Sequence, residues 1–541
     1  MHTEITNCEE MCVEQTYQSF LYPSHESEEK EHAGAVRIPH DVADEIGLSS
    51  LLSLKNSALP SFFTADPEVI AYRQSVFRDM AAIPALSDTL RSVLPLLFDI
   101  TELRRLEADY DPSGESYLYS MTEVELYISC IRMLADGLAP HAEKMESEAF
   151  RRFTATVLEL AGSDYYKELN RDLEDLSSRI REVKSITVGV NLDDTMRPFE
   201  AGVLSVNATH FKSGRALDKI LRFSFKNDAM TTIAPLTPFD KKQNENRRDA
   251  LITAFRGALD DVFRSSVRSW RTIVGEYVLE STDFLLRILP EIEFITRADE
   301  LCRRLRERGY PLVDPTLLPM ESKDFSAIGL YNPDVAMRIA DTVVDNDFTF
   351  DENGRILILT GPNRGGKSVI TCAVGLCQAM CQLGLPVPAK EAAISPVSGI
   401  FTHFPTGAED TLDKGRLGEE CARLREISDA ADGNSLILLD ESLSSTGAYE
   451  ASFIAAEILS AFAVLGTRVL FSTHLHELGG EVDEINRRTA AEGGVRVDTL
   501  VAGIEEGRRS FKIYRKKPDG KSYARDIAER YGLSFDALKK K

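Results

Sequence analysis

Through the first 325 residues, apolar positions recur mostly at helical spacing. From Asp66 to Asp99, Val69, Tyr72, Val76 and Met80, then Leu86, Leu90, Val93 and Leu97, lie three or four residues apart, which predicts packed helices. Residues 117–184 continue in the same way and end in the charged stretch RDLEDLSSRIREVK. The longest run starts near Arg247 and passes through Leu251, Phe255, Leu259, Val262, Trp270, Val274 and Val278 to Leu289, where Pro290 is expected to stop it. Such a helix would be about 60 Å long at 1.5 Å per residue. Helices of globular proteins average about 11–12 residues, so this length suits a lever or a coiled-coil arm. Residues 14–36 (with SHESEEKEHAG) are polar and charged and read as a loose lead-in.

The helical pattern is interrupted once. ITVGVN (Ile186–Asn191) and AGVLSVN (Ala201–Asn207) read as two short strands joined by DDTMRPFE. The stretch from Phe211 to Lys226 then holds Lys212, Arg215, Lys219, Arg222 and Lys226 against Asp218, with Phe211, Phe223 and Phe225 interleaved. An insert at about 185–244 would thus form a small basic tip on two helical arms. That composition suits a polyphosphate contact, and it also suits a solvated amphipathic helix. After about residue 325 the pattern changes, and short β-branched runs alternate with helical stretches, as in an α/β domain. The expected fold is therefore multidomain: a mainly α-helical region over 1–325, then an α/β domain over 326–541.

Charge and cysteine usage narrow the class. The 541 residues carry a formal net charge of -23, so any nucleic-acid contact must come from a local basic patch and not from overall charge. None of the eight cysteines forms a CxxC pair, which speaks against a zinc ribbon or a thioredoxin-type motif. Cys372, Cys377 and Cys381 fall on one expected helix and read as buried small hydrophobes. MHTEITNCEEMCVEQ has neither the basic nor the apolar region of a secretory signal. No window reaches the ~18 unbroken apolar residues of a membrane span. A cytoplasmic protein without membrane partners is expected.

The strongest chemical signal is RILILTGPNRGGKSVI. An apolar strand runs from Arg355 to Thr360, Gly361–Ser368 fits G-x-x-x-x-G-K-[ST], and a helix follows. Gly361, Pro362, Asn363, Arg364, Gly365, Gly366, Lys367, Ser368 and Val369 are the expected ATP-binding residues. Glycines let successive N–H groups close around phosphate at a helix N-terminus. Lys367 should bridge the β- and γ-phosphates, and the Ser368 hydroxyl should ligate Mg²⁺. A second apolar strand, NSLILLDES, ends in Asp440 and Glu441, a costly choice unless a cation or catalysis needs both carboxylates. Asp440 is placed for Mg²⁺ through water, and Glu441 for orienting the attacking water. A third strand, RVLFSTH, ends in His474, a candidate sensor of the γ-phosphate. This order of elements is that of an ABC-type P-loop ATPase, which works as a head-to-tail pair with ATP and Mg²⁺ in the interface.

Within that class the chain resembles the MutS mismatch-repair family. TGPNRGGKS is similar to that family's TGPNMGGKS, VVDNDFTFDENG to its "ND" lead-in, and GLPVPAKEAAISPVSGIFTHFPTGAED to the segment that follows its P-loop helix. LLDESLSSTGAYE, FSTHLHEL and KSYARDIAERYGL match its later motifs, the last of which transporter ATPases lack. The resemblance covers about Leu330–Leu533 and reaches the helical half through the arms, which look like the MutS core, lever and clamp. It implies a DNA-binding ATPase of DNA repair or recombination acting as a homodimer on double-stranded or branched DNA. The alternative is an ABC-type ATPase that drives a protein or membrane partner.

Departures from the family pattern also carry expectations. The chain is too short for both the mismatch-reading domain and the connector, and its Phe350-Asp351-Glu352 stands just before the P-loop strand, the wrong place for the mismatch wedge. Nothing resembles the nuclease-like C-terminal domain of some shortened paralogues. DKGRLGEEC replaces the Ser-Thr-Phe signature, so a contact across the dimer would come from the loop Lys414–Glu420, through Arg416. Val343 replaces an adenine-stacking aromatic, for which Tyr514 is a candidate substitute. Should the basic tip fail to bind DNA, Arg508–Lys517 is the next basic stretch.

Overall fold

A computed structural model describes residues 17–34, 36, 38–53, 59–108, 117–171, 173, 185–196, 198–207, 237–238, 284–362, 364–404, 416–475, 477–505, 508–517 and 539. The chain forms two compact units. One comprises Pro84–Met145 and Phe150–Ile292; the other comprises Met1–Ile83, Glu146–Ala149 and Glu293–Lys541.

In the first unit, helices Pro84–Ala108 and Tyr117–Leu138 pair along the expected apolar stripes. Leu86, Leu90, Val93, Leu97 and Ile100 are buried on one, and Val124, Ile128, Ile131 and Leu134 on the other. The pair comes close at Gly137, where a Cβ would fall 2.3 Å from the Thr89 hydroxyl oxygen. The two expected strands are present as β1 (Ser185–Leu192) and β2 (Pro198–Asn207), antiparallel with Ile186 opposite Val206, and a short β3 (Thr237–Pro238) adds to β2. The basic tip at 211–226 and the long run from Arg247 lie outside the described residues, apart from the end of that run. There a turn at Ile288 separates residues 284–287 from a new helix, Leu289–Glu307. Pro290 opens that helix, in the first turn, where a missing N–H is tolerated.

The second unit is built on a six-stranded sheet and a smaller four-stranded one. In chain order the strands are β4 (Thr316–Leu317), β5 (Phe325–Leu330), β6 (Asn346–Phe350), β7 (Ile356–Thr360), β8 (Glu391–Ile394), β9 (Ile400–His403), β10 (Leu436–Asp440), β11 (Arg468–Thr473), β12 (Val497–Glu505) and β13 (Arg508–Arg515). The larger sheet has the order β13-β12-β7-β11-β10-β9, and the smaller β4-β8-β5-β6. From β12 to β9 every neighbour is parallel, and β13 pairs antiparallel at the edge.

β7, β10 and β11 are buried at every residue, because helices cover both faces of a parallel sheet. Ile356, Ile358, Ile437, Leu439, Val469 and Phe471 share one core with helices Arg416–Ala430, Ala448–Leu465 and Leu478–Ala490. Alternate residues point to the opposite face, where helix Lys367–Gln382 packs so closely that a Cβ on Gly375 would fall 2.7 Å from Leu438. Cys377 and Cys381 are buried on that helix as expected, and burial pushes the Cys381 thiol up to about 12. Helix Ala448–Leu465 is long and apolar enough to cross a membrane, but its inward face belongs to this core.

The lead-in is a correction. Its charged stretch is a helix, His25–Ala33, capped by Ser24, and the segment before it is anchored deep in the unit. Phe20, Leu21 and Tyr22 are buried. The fully buried Arg73 donates from Nε to the Leu21 carbonyl at 2.9 Å, and its guanidinium lies 5.0 Å from the Tyr22 ring centre. The Tyr72 hydroxyl donates to the Ser19 carbonyl at 2.9 Å. No residue of the helix is buried, and the aromatic residues of YQSFLY supply the anchor.

Candidate active site

The expected phosphate loop joins the C-terminal end of β7 to helix Lys367–Gln382. Its backbone is possible only because particular glycines stand where they do. Gly361 has φ +150°, and a Cβ there would fall 2.6 Å from that of Ala502 on β12. Gly366, at φ +91°, caps the helix. Arg364 takes the left-handed region at φ +59°, and Gly365 N–H closes a turn onto the Pro362 carbonyl at 3.0 Å. The buried Lys367 lies inside this loop, its Nζ donating to the carbonyls of Gly361 and Pro362 at 3.3 Å each. Burial holds the ammonium below its usual pKa, against the charges of Glu441 and Asp440, which raise it. Asn363 lies outside the described residues.

The carboxylates stand at the end of β10. Asp440 is buried, and its Oδ1 has no hydrogen-bond partner among the described residues. A buried carboxylate oxygen without a partner is costly, and a cation would offset that cost. Ser368, an exposed residue, lines the cavity over the loop. No group of three or more His, Cys, Asp or Glu among the described residues could hold a metal. A serine and one carboxylate fit Mg²⁺, which is held by few protein ligands and completes its shell with water and phosphate oxygens.

Glu441 and His474 meet across strands. His474 follows β11, which lies between β7 and β10. Its Nε2 is 2.8 Å from Glu441 Oε1 and 3.4 Å from Lys367 Nζ. The shorter contact fixes the tautomer with hydrogen on Nε2, donating to the carboxylate. The Glu441 backbone has φ +48°, and its N–H donates to the Ser472 carbonyl at 2.8 Å.

A cavity of about 510 Å³ opens over the loop, lined among others by Arg364, Ser368, Val369, Glu441, Val343 and Phe511. Tyr514, the expected substitute for the missing aromatic, is not in this lining, and Phe511 is. Phe511 stands in the left-handed region at φ +57°, beside an irregularity in the β12–β13 register. Asn346 holds it there: its Nδ2 donates to the Phe511 carbonyl at 3.1 Å, and its Oδ1 accepts from Ile513 N–H at 2.7 Å. Strand periodicity carries no sign of this, since a bulge redirects the side chain.

One further expectation changes. Arg416–Glu420 is not loop: helix Arg416–Ala430 starts there, and Lys414 lies outside the described residues. Three cations on and just beyond the basic strand β13 are engaged in ion pairs. Arg515 pairs with Asp351 and Asp498, Lys512 with Asp345, and Lys517, just beyond the strand, with Asp483.

Comparison with known proteins agrees with this geometry. Residues 357–530 match the MutS domain V family, and residues 65–308 match the MutS2 N-terminal domain family. The protein named endonuclease MutS2 of Thermus thermophilus is 31% identical over 201 residues, 36% of this chain and 25% of that one. The DNA mismatch repair protein MutS of Brevibacillus brevis is 35% identical over 231 residues, 41% of this chain and 25% of that one. Both matched stretches are thus similar to domains of MutS-type proteins. The matched segments span about a quarter of these relatives' length. The MutS domain V match begins inside β7 and takes in Lys367, Ser368, Asp440, Glu441 and His474. The cavity over the P-loop therefore belongs to a MutS-type ATPase domain.

Proposed function

We propose that this protein is a cytoplasmic, ATP-dependent DNA-binding ATPase of DNA repair or recombination. In this reading two copies pair head to tail, and ATP binding and hydrolysis control DNA-holding arms. The meeting of three side chains carried by neighbouring strands and the loop after β7, with His474 Nε2 2.8 Å from Glu441 Oε1 and 3.4 Å from Lys367 Nζ, carries the ATPase reading. The loop N–H groups and Lys367 bind the phosphates. Ser368 and Asp440 would hold Mg²⁺, which would supply positive charge against that of the phosphates. Glu441 orients a water molecule for attack on the γ-phosphate, and ADP and phosphate leave. His474 fixes the Glu441 carboxylate and reports the γ-phosphate to β11.

Phe511 takes the base in place of the aromatic missing at Val343. Base–aromatic stacking contributes about 1–3 kcal/mol. Phe511→Ala should therefore weaken ATP binding about tenfold while leaving tripolyphosphate binding unchanged, as read by calorimetry. Equal losses for both ligands would place Phe511 in the loop's structure and not in base recognition.

The family match, and the basic residues Lys212, Arg215, Lys219, Arg222 and Lys226, support the DNA reading. Each phosphate contact adds about 0.9 to the log–log salt slope on B-DNA. Reversing Lys212, Arg215, Lys219 and Arg222 to Glu should weaken duplex binding and flatten that slope. An unchanged slope would make the tip a solvated face. The test of the whole reading is a binding panel over perfect, mismatched and branched DNA, with ATP, with ADP and without nucleotide. Retained ATPase activity with no affinity for any of these DNAs would favour a protein or membrane partner instead.

A further inference from the structure

We propose that His403 is a positioning residue for Glu441, acting through Ser442. The inference rests on the reading of Glu441 as the group that orients the attacking water. His403 ends β9, opposite Leu439 of β10, and is buried. Its Nδ1 lies 2.7 Å from Ser442 Oγ, and the same Oγ lies 3.3 Å from the His403 carbonyl. One arrangement satisfies both contacts: Nδ1–H donates to Oγ, and the hydroxyl donates to the carbonyl. Burial, with the Arg423 charge nearby, pushes the imidazole pKa down to about 4, so the ring stays neutral and the lock keeps one form.

The turn after β10 needs such a lock. Glu441 at φ +48° and Leu443 at φ +65° both lie in the left-handed region, on either side of Ser442. Residues with a Cβ hold that conformation only where the surroundings impose it. Three anchors do so here. The Ser472 carbonyl of β11 accepts from Glu441 N–H, Leu443 is buried in the core, and His403 of β9 holds Ser442. The turn is thus pinned from the strands on both sides of β10. The first two anchors fix the chain before and after Ser442, and the third fixes the peptide between them, which sets the direction of the Glu441 side chain. The phosphate loop itself is organised by Lys367 and the glycines.

The test compares Ser442→Ala, His403→Phe and His403→Asn with the wild type and with Glu441→Gln. It follows steady-state hydrolysis alongside equilibrium binding of a fluorescent ATP analogue. Ser442→Ala deletes one oxygen and is the variant least prone to misfolding; His403→Asn keeps a polar atom near the Nδ1 position. Ser442→Ala and His403→Phe should lower kcat roughly tenfold to a hundredfold, the scale of a displaced catalytic group. ATP affinity should stay near that of the wild type, and His403→Asn should recover most of the lost rate. A wild type without ATPase activity, or a fully active Glu441→Gln, would remove the reading of Glu441 itself. If those controls hold and Ser442→Ala turns over at the wild-type rate, the positioning role is overturned. A parallel loss of ATP binding and turnover in folded Ser442→Ala would overturn it too, by making the lock a general structural contact.

Discussion

Lys367→Ala is expected to abolish tight ATP binding and leave the fold intact. Lys367 is the cation that the loop encloses, with Nζ 3.3 Å from both the Gly361 and Pro362 carbonyls. Those bonds are long, and the ammonium is held below its usual pKa by burial, so the loop holds this charge at a cost. Phosphate would relieve it by supplying anionic acceptors. Each charge-assisted hydrogen bond contributes about 1.5–3 kcal/mol. Losing the bonds to two phosphates should weaken ATP binding on the order of a hundredfold or more. Gly366 still caps the helix and the sheet does not depend on the side chain, so thermal unfolding should stay close to that of the wild type. Calorimetric titration with ATP is the measurement, and normal affinity in a folded Lys367→Ala protein would refute the assignment of the site.

Glu441→Gln is expected to separate binding from hydrolysis. The glutamine amide keeps an oxygen that can accept from His474 Nε2, now 2.8 Å from Oε1, so the geometry should survive while the charge is lost. Removing a general base or water-orienting carboxylate costs typically 10²–10⁴-fold in rate. Lys367, Ser368 and Asp440 are untouched, so ATP should still bind. Unhydrolysed ATP between two copies should then hold a dimer that the wild type shows only transiently, visible by light scattering with and without ATP. The contact across that dimer would come from the start of helix Arg416–Ala430, where an ordered helix N-terminus can present N–H groups. Wild-type turnover in Glu441→Gln would remove Glu441 from the chemistry. Arrested hydrolysis with no change in mass would keep the catalytic role and remove ATP-driven pairing.

The sequence by itself determined those parts of the protein whose chemistry is local. The phosphate loop is legible because its glycines, lysine and serine are neighbours in the chain and their backbone requirements are met within one turn. The strands β7 and β10 are legible because burial on both faces demands unbroken apolar runs, and the buried face of helix Pro84–Ala108 because helical burial imposes a three-and-four spacing. Tertiary structure decided everything that depends on strand order and register. β11 enters between β7 and β10 and so brings His474 to Glu441, 33 residues away, and to Lys367, 107 residues away. Asn346 turns Phe511 toward the cavity from 165 residues away, and His403 reaches Ser442 only because β9 lies beside β10. The aromatic segment before His25 shows no periodicity because its partners, Tyr72 and Arg73, lie on another element more than fifty residues on. Periodicity reports which face of an element is buried, but which elements become neighbours is set by the closing of the whole sheet and its covering helices.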